Sequence, residues 1–211
     1  MRDQRAANSA YYARNRVAEL RRVQQRQAAT LEMLRDLRRR PCADCSGLFE
    51  PHQMDFDHRD RSSKSFRISA GRAMLMSRDR LMTEVTKCDI VCANCHRVRT
   101  RDSAAWVATS VGTFKGSRRL LYKRDAWRAQ ARLLQELRAA PCADCRGRFP
   151  PCAMDFDHRD GTDKRYTVTR MVGRAGTQRI LAEVAKCDIV CANCHRRRTY
   201  VRRQARLGER E

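Results

Sequence analysis

The chain contains the same block twice, and each block carries cysteines at metal-ligand spacing. Residues 41–60 read PCADCSGLFEPHQMDFDHRD, and residues 141–160 read PCADCRGRFPPCAMDFDHRD. EVTKCDIVCANCHRVRT at 84–100 returns as EVAKCDIVCANCHRRRT at 183–199. The offset slips from 100 to 99, so one residue is lost from the variable middle, 61–82 against 161–181. Upstream, LEMLRDLRRR at 31–40 resembles ARLLQELRAA at 131–140. Self-similarity on this scale means two copies of one folding unit rather than one large domain across 211 residues.

Each copy holds two C-x-x-C pairs: Cys42/Cys45 with Cys92/Cys95, and Cys142/Cys145 with Cys191/Cys194. Two thiolates three positions apart grip one metal, and two such pairs complete a closed, tetrahedral, structural zinc site. A redox pair needs only one C-x-x-C and a thioredoxin-like strand–helix pattern, which is absent. The cysteine total, 11, is odd, and the opening MRDQRAANSAYYARNRVAEL has no apolar leader, so a disulfide framework is not expected and a cytoplasmic location is. Cys88 and Cys187 sit on apolar faces with Leu81/Val85 and Ile180/Val184, which favours core packing over a metal role. Cys152 replaces His52 between copies, so neither is expected to be essential. Structural zinc matters energetically, because a small unit in a chain with 6% aromatic residues has little core, and such a metal contributes on the order of 10 kcal/mol of folding free energy.

The formal net charge is +22, from 46 Lys+Arg against 24 Asp+Glu. Two four-thiolate zinc sites, each carrying about −2, leave roughly +18. Such a field attracts a polyanion by phosphate contact and counterion release, so nucleic acid is the expected partner. No run of residues is long and apolar enough for a membrane span, and no membrane partner is expected.

Residues 10–40 have helical composition, with Leu31, Leu34 and Leu37 at helical spacing and Pro41 as the stop. Residues 53–58 alternate Met54 and Phe56 with Asp55 and Asp57 as a short strand, and 63–70 is the expected return strand. A helix is expected over 77–88, another from His96, a linker near Gly112 and Gly116, and a second leading helix over 119–140. The expected segments are a basic helical 1–40, a zinc unit 41–110, a linker with basic helix 111–140, and a second zinc unit 141–211.

Four of the five histidines are matched between copies: His58 with His158 after an aspartate in MDFDH, and His96 with His195 after the last cysteine. The order CADC, DFDH, CANCHR, present twice, resembles the HNH endonuclease family over roughly 41–100 and 141–199. The resemblance implies an α+β fold: two tandem zinc-stapled ββα-metal units, each preceded by a helix. It implies that His58 and His158 are general bases. It also implies that Asp57 with His96, and Asp157 with His195, hold a catalytic magnesium, manganese or nickel ion, with Asp55 and Asp155 as further or supporting ligands. The family's hairpin-bracing Asn corresponds here to Lys87 and Lys186. Lys87 reads either as a phosphate contact or as a solvated lysine.

The chemistry suits phosphodiester hydrolysis. A neutral imidazole activates water near pH 7, and a hard cation with open positions stabilises the charge that develops on the phosphate. Arg97, Arg99, Arg196 and Arg198 follow the histidines, and Arg38, Arg39 and Arg40 close the leading helix; with Lys87 and Lys186 these are the candidate phosphate contacts. The leading expectation is therefore a metal-dependent endonuclease acting on double-stranded DNA, a monomer whose two units work as an internal pseudo-dimer, one per strand. The alternative is a non-catalytic zinc-stabilised nucleic-acid-binding protein. An RNA nuclease ranks lower, since no module with stacking aromatics is visible.

Overall fold

A computed structural model describes residues 2–102, 118–159 and 166–208 of the chain. The expected linker around Gly112 and Gly116 lies outside the described residues. Helix α1 (Arg2–Leu37) runs without an internal Gly or Pro. It stops short of Pro41, tightening as the Arg38 and Arg39 N–H groups donate to Arg35 O and Asp36 O. In the second repeat the matching helix is α5 (Arg118–Leu137).

After each leading helix comes a knuckle. Cys42 N–H donates to Gly47 O, Ser46 N–H donates to Cys42 O, and Ser46 takes the left-handed conformation at φ 55°. Cys142, Arg146 and Gly147 repeat the arrangement, with Arg146 at φ 60°. A Cβ at 47 would lie 2.7 Å from Phe49 Cε2 and push that ring aside, and Phe149 closes over Gly147 in the same way.

A short 3-10 turn leads into β1 (Met54–His58), whose alternating burial matches the expected strand. Its partner is not the expected return strand at 63–70. That segment forms no strand, and β1 pairs instead with β2 (Cys88–Cys92). The reason is chemical. The N–H groups of Ser65 and Phe66 are claimed by the Glu84 carboxylate, and 61–65 is exposed. CDIVC, by contrast, buries Ile90, Val91 and Cys92, so the segment leading into the second knuckle forms the hairpin's other arm. In the second repeat β3 (Met154–His158) pairs antiparallel with β4 (Cys187–Cys191), placing Asp157 opposite Asp188 and His158 opposite Cys187.

Between the strands lie two short helices per repeat. The first repeat has α2 (Ala70–Ala73) and α3 (Arg78–Val85). The second has α6 (Val168–Met171) and α7 (Thr177–Val184). Ser77 caps α3 by accepting from Arg80 N–H at 3.4 Å. The helix expected over 77–88 ends earlier, because Cys88 already belongs to β2. Each repeat closes with a helix carrying His96 or His195, α4 (Ala93–Asp102) or α8 (Ala192–Gly208), which begins three residues before the histidine rather than at it.

By internal contacts the chain divides into Met1–Pro51 with Phe56–Ile90, and His52–Asp55 with Val91–Glu211. In the first unit Leu34, Phe66 and Leu81 are buried, and the Arg38 guanidinium covers the Phe56 ring at 4.5 Å. In the second, Leu134, Val168, Met171, Ile180 and Cys187 form one apolar cluster, and Met154 and Val190 form another around Cys142, Cys191 and Cys194. Burial, reinforced by the charge of Glu84 or Glu183, pushes the Cys88 and Cys187 thiols up to about 11. They are inert packing groups, as their apolar faces suggest.

Candidate functional site

The four cysteines of each repeat gather as expected. Cys42, Cys45, Cys92 and Cys95 have their sulfurs within 4.8 Å of one another, and so do Cys142, Cys145, Cys191 and Cys194. A tetrahedral ion with Zn–S bonds of about 2.3 Å sets its sulfurs roughly 3.8 Å apart, so the donor type and spacing fit structural zinc. The backbone prepares one sulfur, that of Cys142, while burial raises the Cys191 and Cys194 thiols. Burial alone would raise the Cys142 thiol, but N–H groups of Cys145, Cys191 and Asp144 outweigh it and bring the group to about 7. Cys191 N–H reaches Cys142 Sγ at 3.2 Å, and Cys194 N–H reaches Cys191 Sγ at 3.5 Å.

His58 and His158 end their strands buried, at 8% and 6% exposure. Each meets a glutamate from the following helix: His58 Nε2 lies 2.7 Å from Glu84 Oε1, and His158 Nε2 lies 2.8 Å from Glu183 Oε1. A carboxylate only accepts, so each neutral ring carries its proton on Nε2 and keeps Nδ1 as the basic nitrogen. Burial would raise Glu84, but Lys87, His58 and the N–H groups of Phe66 and Ser65 hold it well below the usual carboxylate range. Lys87 Nζ also donates to Ser63 O and Ser65 Oγ, both at 3.0 Å, and to Glu84 Oε2 at 2.8 Å. Thus Lys87 ties the 63–66 loop to the residue that orients His58. Lys186 makes the equivalent ion pair with Glu183 at 3.3 Å.

His96 and His195 stand at the first turns of α4 and α8. Their Nδ1 atoms lie 2.7 Å from Asp55 Oδ2 and Asp155 Oδ2, respectively. The carboxylate thus fixes the ring. His195 Nε2 is 3.6 Å from Asp157 Oδ1. Burial would raise Asp55, but bonds from His96 and Arg196 bring it down to about 2. The corresponding bonds from His195 and Arg97 outweigh burial at Asp155 and lower it further. Asp157 is likewise lowered against burial, chiefly by Arg202 and Arg198.

In the second repeat Asp157, His158 and His195 line one cleft of about 530 Å³. The same cleft is lined by Thr199, Arg202, Arg203 and Arg206 of α8. The strand end, the β3–β4 pairing and the first turn of α8 bring the three sequence-selected side chains together. In the first repeat His58 with Glu84, and His96 with Asp55, show the same local pairings.

Several arginines chosen from sequence as phosphate contacts engage carboxylates instead. Arg97 meets Asp155 at 2.8 Å and Arg196 meets Asp55 at 2.6 Å. Arg198 bridges Asp144, Asp157 and Asp188, which offsets the like charges that the strand register sets opposite each other. Arg39 pairs with Glu32 and Asp36, Arg40 is exposed, and Arg99 is half-buried on α4. The cations that face the cleft are Arg202, Arg203 and Arg206, which sequence reasoning did not select. It also passed over Glu84 and Glu183, although both stand at the head of the repeated EV-x-KCD block.

No protein-family model matches the chain, and comparison with curated proteins and with solved structures finds no match either. Among the described residues, no helix is long and apolar enough to cross a membrane.

Proposed function

We propose that the chain is a metal-dependent DNA endonuclease of the HNH type, with one phosphodiester-hydrolysing site per repeat. The observation that supports this most is the cleft of the second repeat, where Asp157, His158 and His195 meet beside Arg202, Arg203 and Arg206. His158 is the general base: Glu183 holds its Nε2–H, and Nδ1 takes the proton from the attacking water. Glu183 also stabilises the imidazolium that forms, as a buried acid does for any histidine base. Asp157 and His195 are the residues that would hold a divalent cation. Their facing oxygen and nitrogen stand 3.6 Å apart, and a carboxylate with an imidazole is a donor set that suits such a cation. When bound, it would supply charge stabilisation for the phosphate and leaving oxygen. Arg203 and Arg206 position the backbone phosphates without reading sequence. The first repeat carries the same residue types, Asp57, His58 and His96, and each repeat cuts one strand of the duplex.

One observation favours a second reading, a non-catalytic zinc module that binds nucleic acid. Both Asp157 oxygens already accept bonds from Arg202, at 2.8 and 3.0 Å, and one also accepts from Arg198 at 3.1 Å. The two readings separate on supercoiled plasmid incubated with a chelator, magnesium, manganese or nickel. The nuclease yields nicked and linear DNA only with added metal. Gel retardation with no cutting in any metal supports the module instead.

A further inference from the structure

Within the second unit, residues of the two repeats meet in a reciprocal pattern. Asn94 N–H donates to Asn193 Oδ1 at 3.3 Å, and Asn193 N–H donates to Asn94 Oδ1 at 3.1 Å. These asparagines hold the same place in CANCHR, 99 positions apart. Gln53 Nε2 adds a bond to Asn193 O at 3.0 Å, and the His52 ring stacks on Tyr200 with centroids 4.3 Å apart. Residue i of one copy meeting residue j of the other, and the reverse, is the signature of an isologous interface, here formed inside one chain.

Two ion pairs in this pattern reach the metal-histidine positions. Arg97 of the first repeat places Nη2 2.8 Å from Asp155 Oδ2 of the second, the same oxygen that lies 2.7 Å from His195 Nδ1. Arg196 of the second repeat places Nη2 2.6 Å from Asp55 Oδ2 of the first, the oxygen that meets His96 Nδ1 at 2.7 Å. Each chain of contacts runs arginine, carboxylate, imidazole, and each crosses between repeats.

We infer that Arg97 and Arg196 are positioning residues acting in trans: each holds the aspartate that orients the ligand histidine of the other repeat. The inference rests on the proposed roles of His96 and His195. Physically, the guanidinium fixes the carboxylate, which in turn fixes the ring orientation and tautomer of the histidine. Loss of such a supporting contact typically lowers metal affinity or activity 10–100-fold. The consequence is that neither repeat has a fully oriented site without the other.

The test is a crossed comparison in the full chain. His58→Gln leaves the second repeat as the only cutter, and His158→Gln leaves the first; glutamine keeps a donor for Glu84 or Glu183. In the His58→Gln background, Arg97→Gln should slow metal-dependent plasmid nicking by about tenfold or more, and Arg196→Gln by clearly less. In the His158→Gln background the order should reverse. Equal slowing in both backgrounds, as a general phosphate contact or a folding defect would give, overturns the inference.

A readout without added divalent metal keeps the two proposals apart. The chain has five histidines, so its ring-nitrogen NMR spectrum is simple. Arg97→Gln should move the His195 ring signals and spare those of His96, and Arg196→Gln should do the opposite. A crossed NMR pattern in a protein that never cuts keeps the wiring and removes the nuclease reading. Metal-dependent cutting with an uncrossed NMR pattern keeps the nuclease and discards the wiring.

Discussion

Glu84 is 1% exposed and accepts from His58, Lys87, Ser65 and Phe66. A buried carboxylate with that many donors is stable only while ionised. Glu84→Ala leaves His58 and Lys87 without their acceptor, and should cost about 3–5 kcal/mol in urea unfolding, as loss of one partner of a buried pair does. Acid acts on the same group. Its unfolded value is 4.5 and its folded value is far lower, so its contribution is present above pH 4.5 and lost as pH falls. Asp55, brought from 3.8 to about 2, adds to the loss in the same direction. The urea midpoint should therefore drop between pH 5 and pH 3, and Glu84→Gln should flatten that drop; an unchanged slope contradicts the ionised assignment. The histidines and knuckle cysteines were legible in the sequence because their spacing has chemical meaning. Glu84 was not, because a glutamate on a helix reads as solvated until the strand that buries it is known.

Elements were legible where their period was local. The alternation in MDFDH and the uninterrupted leading helices follow from residue chemistry alone, and both form. The pairing partner of β1 was not legible, since strand choice depends on which distant segment offers backbone groups still unclaimed. Cys88 was assigned to the preceding helix and Cys92 to the knuckle, and that division hid the strand CDIVC between them. Helix α7 shows how sharply a face is defined: Ile180 is 1% exposed and its neighbour Leu181 is 39% exposed. Ile180→Ala should cost about 2–5 kcal/mol, and Leu181→Ala about 0.5 or less, in chemical denaturation. Similar costs at the two positions would mean that α7 is packed on a different face.

At the scale of the whole molecule, the tandem duplication and its two four-thiolate sites could be read from the cysteine spacing alone. The reciprocal contacts between repeats could not, because Arg97 and Arg196 look like any other cation after a histidine. Metal analysis should find two zinc ions per chain. Cys92→Ser should lower this toward one, and Cys88→Ser should leave it at two. Chelation should lower the melting temperature steeply, since structural zinc contributes on the order of 10 kcal/mol of folding free energy per site. Retention of two zinc ions in Cys92→Ser would contradict the ligand set.

The central claim is the proposal that each repeat supplies the histidine base for cutting one DNA strand. It is tested most directly by the products that His58→Gln and His158→Gln each make from supercoiled plasmid with manganese. Two sites, each with its own histidine base, predict nicked circles from either single variant, linear DNA from the unmodified chain, and no cutting from the double variant. Linear DNA from either single variant, or cutting by the double variant, would contradict it.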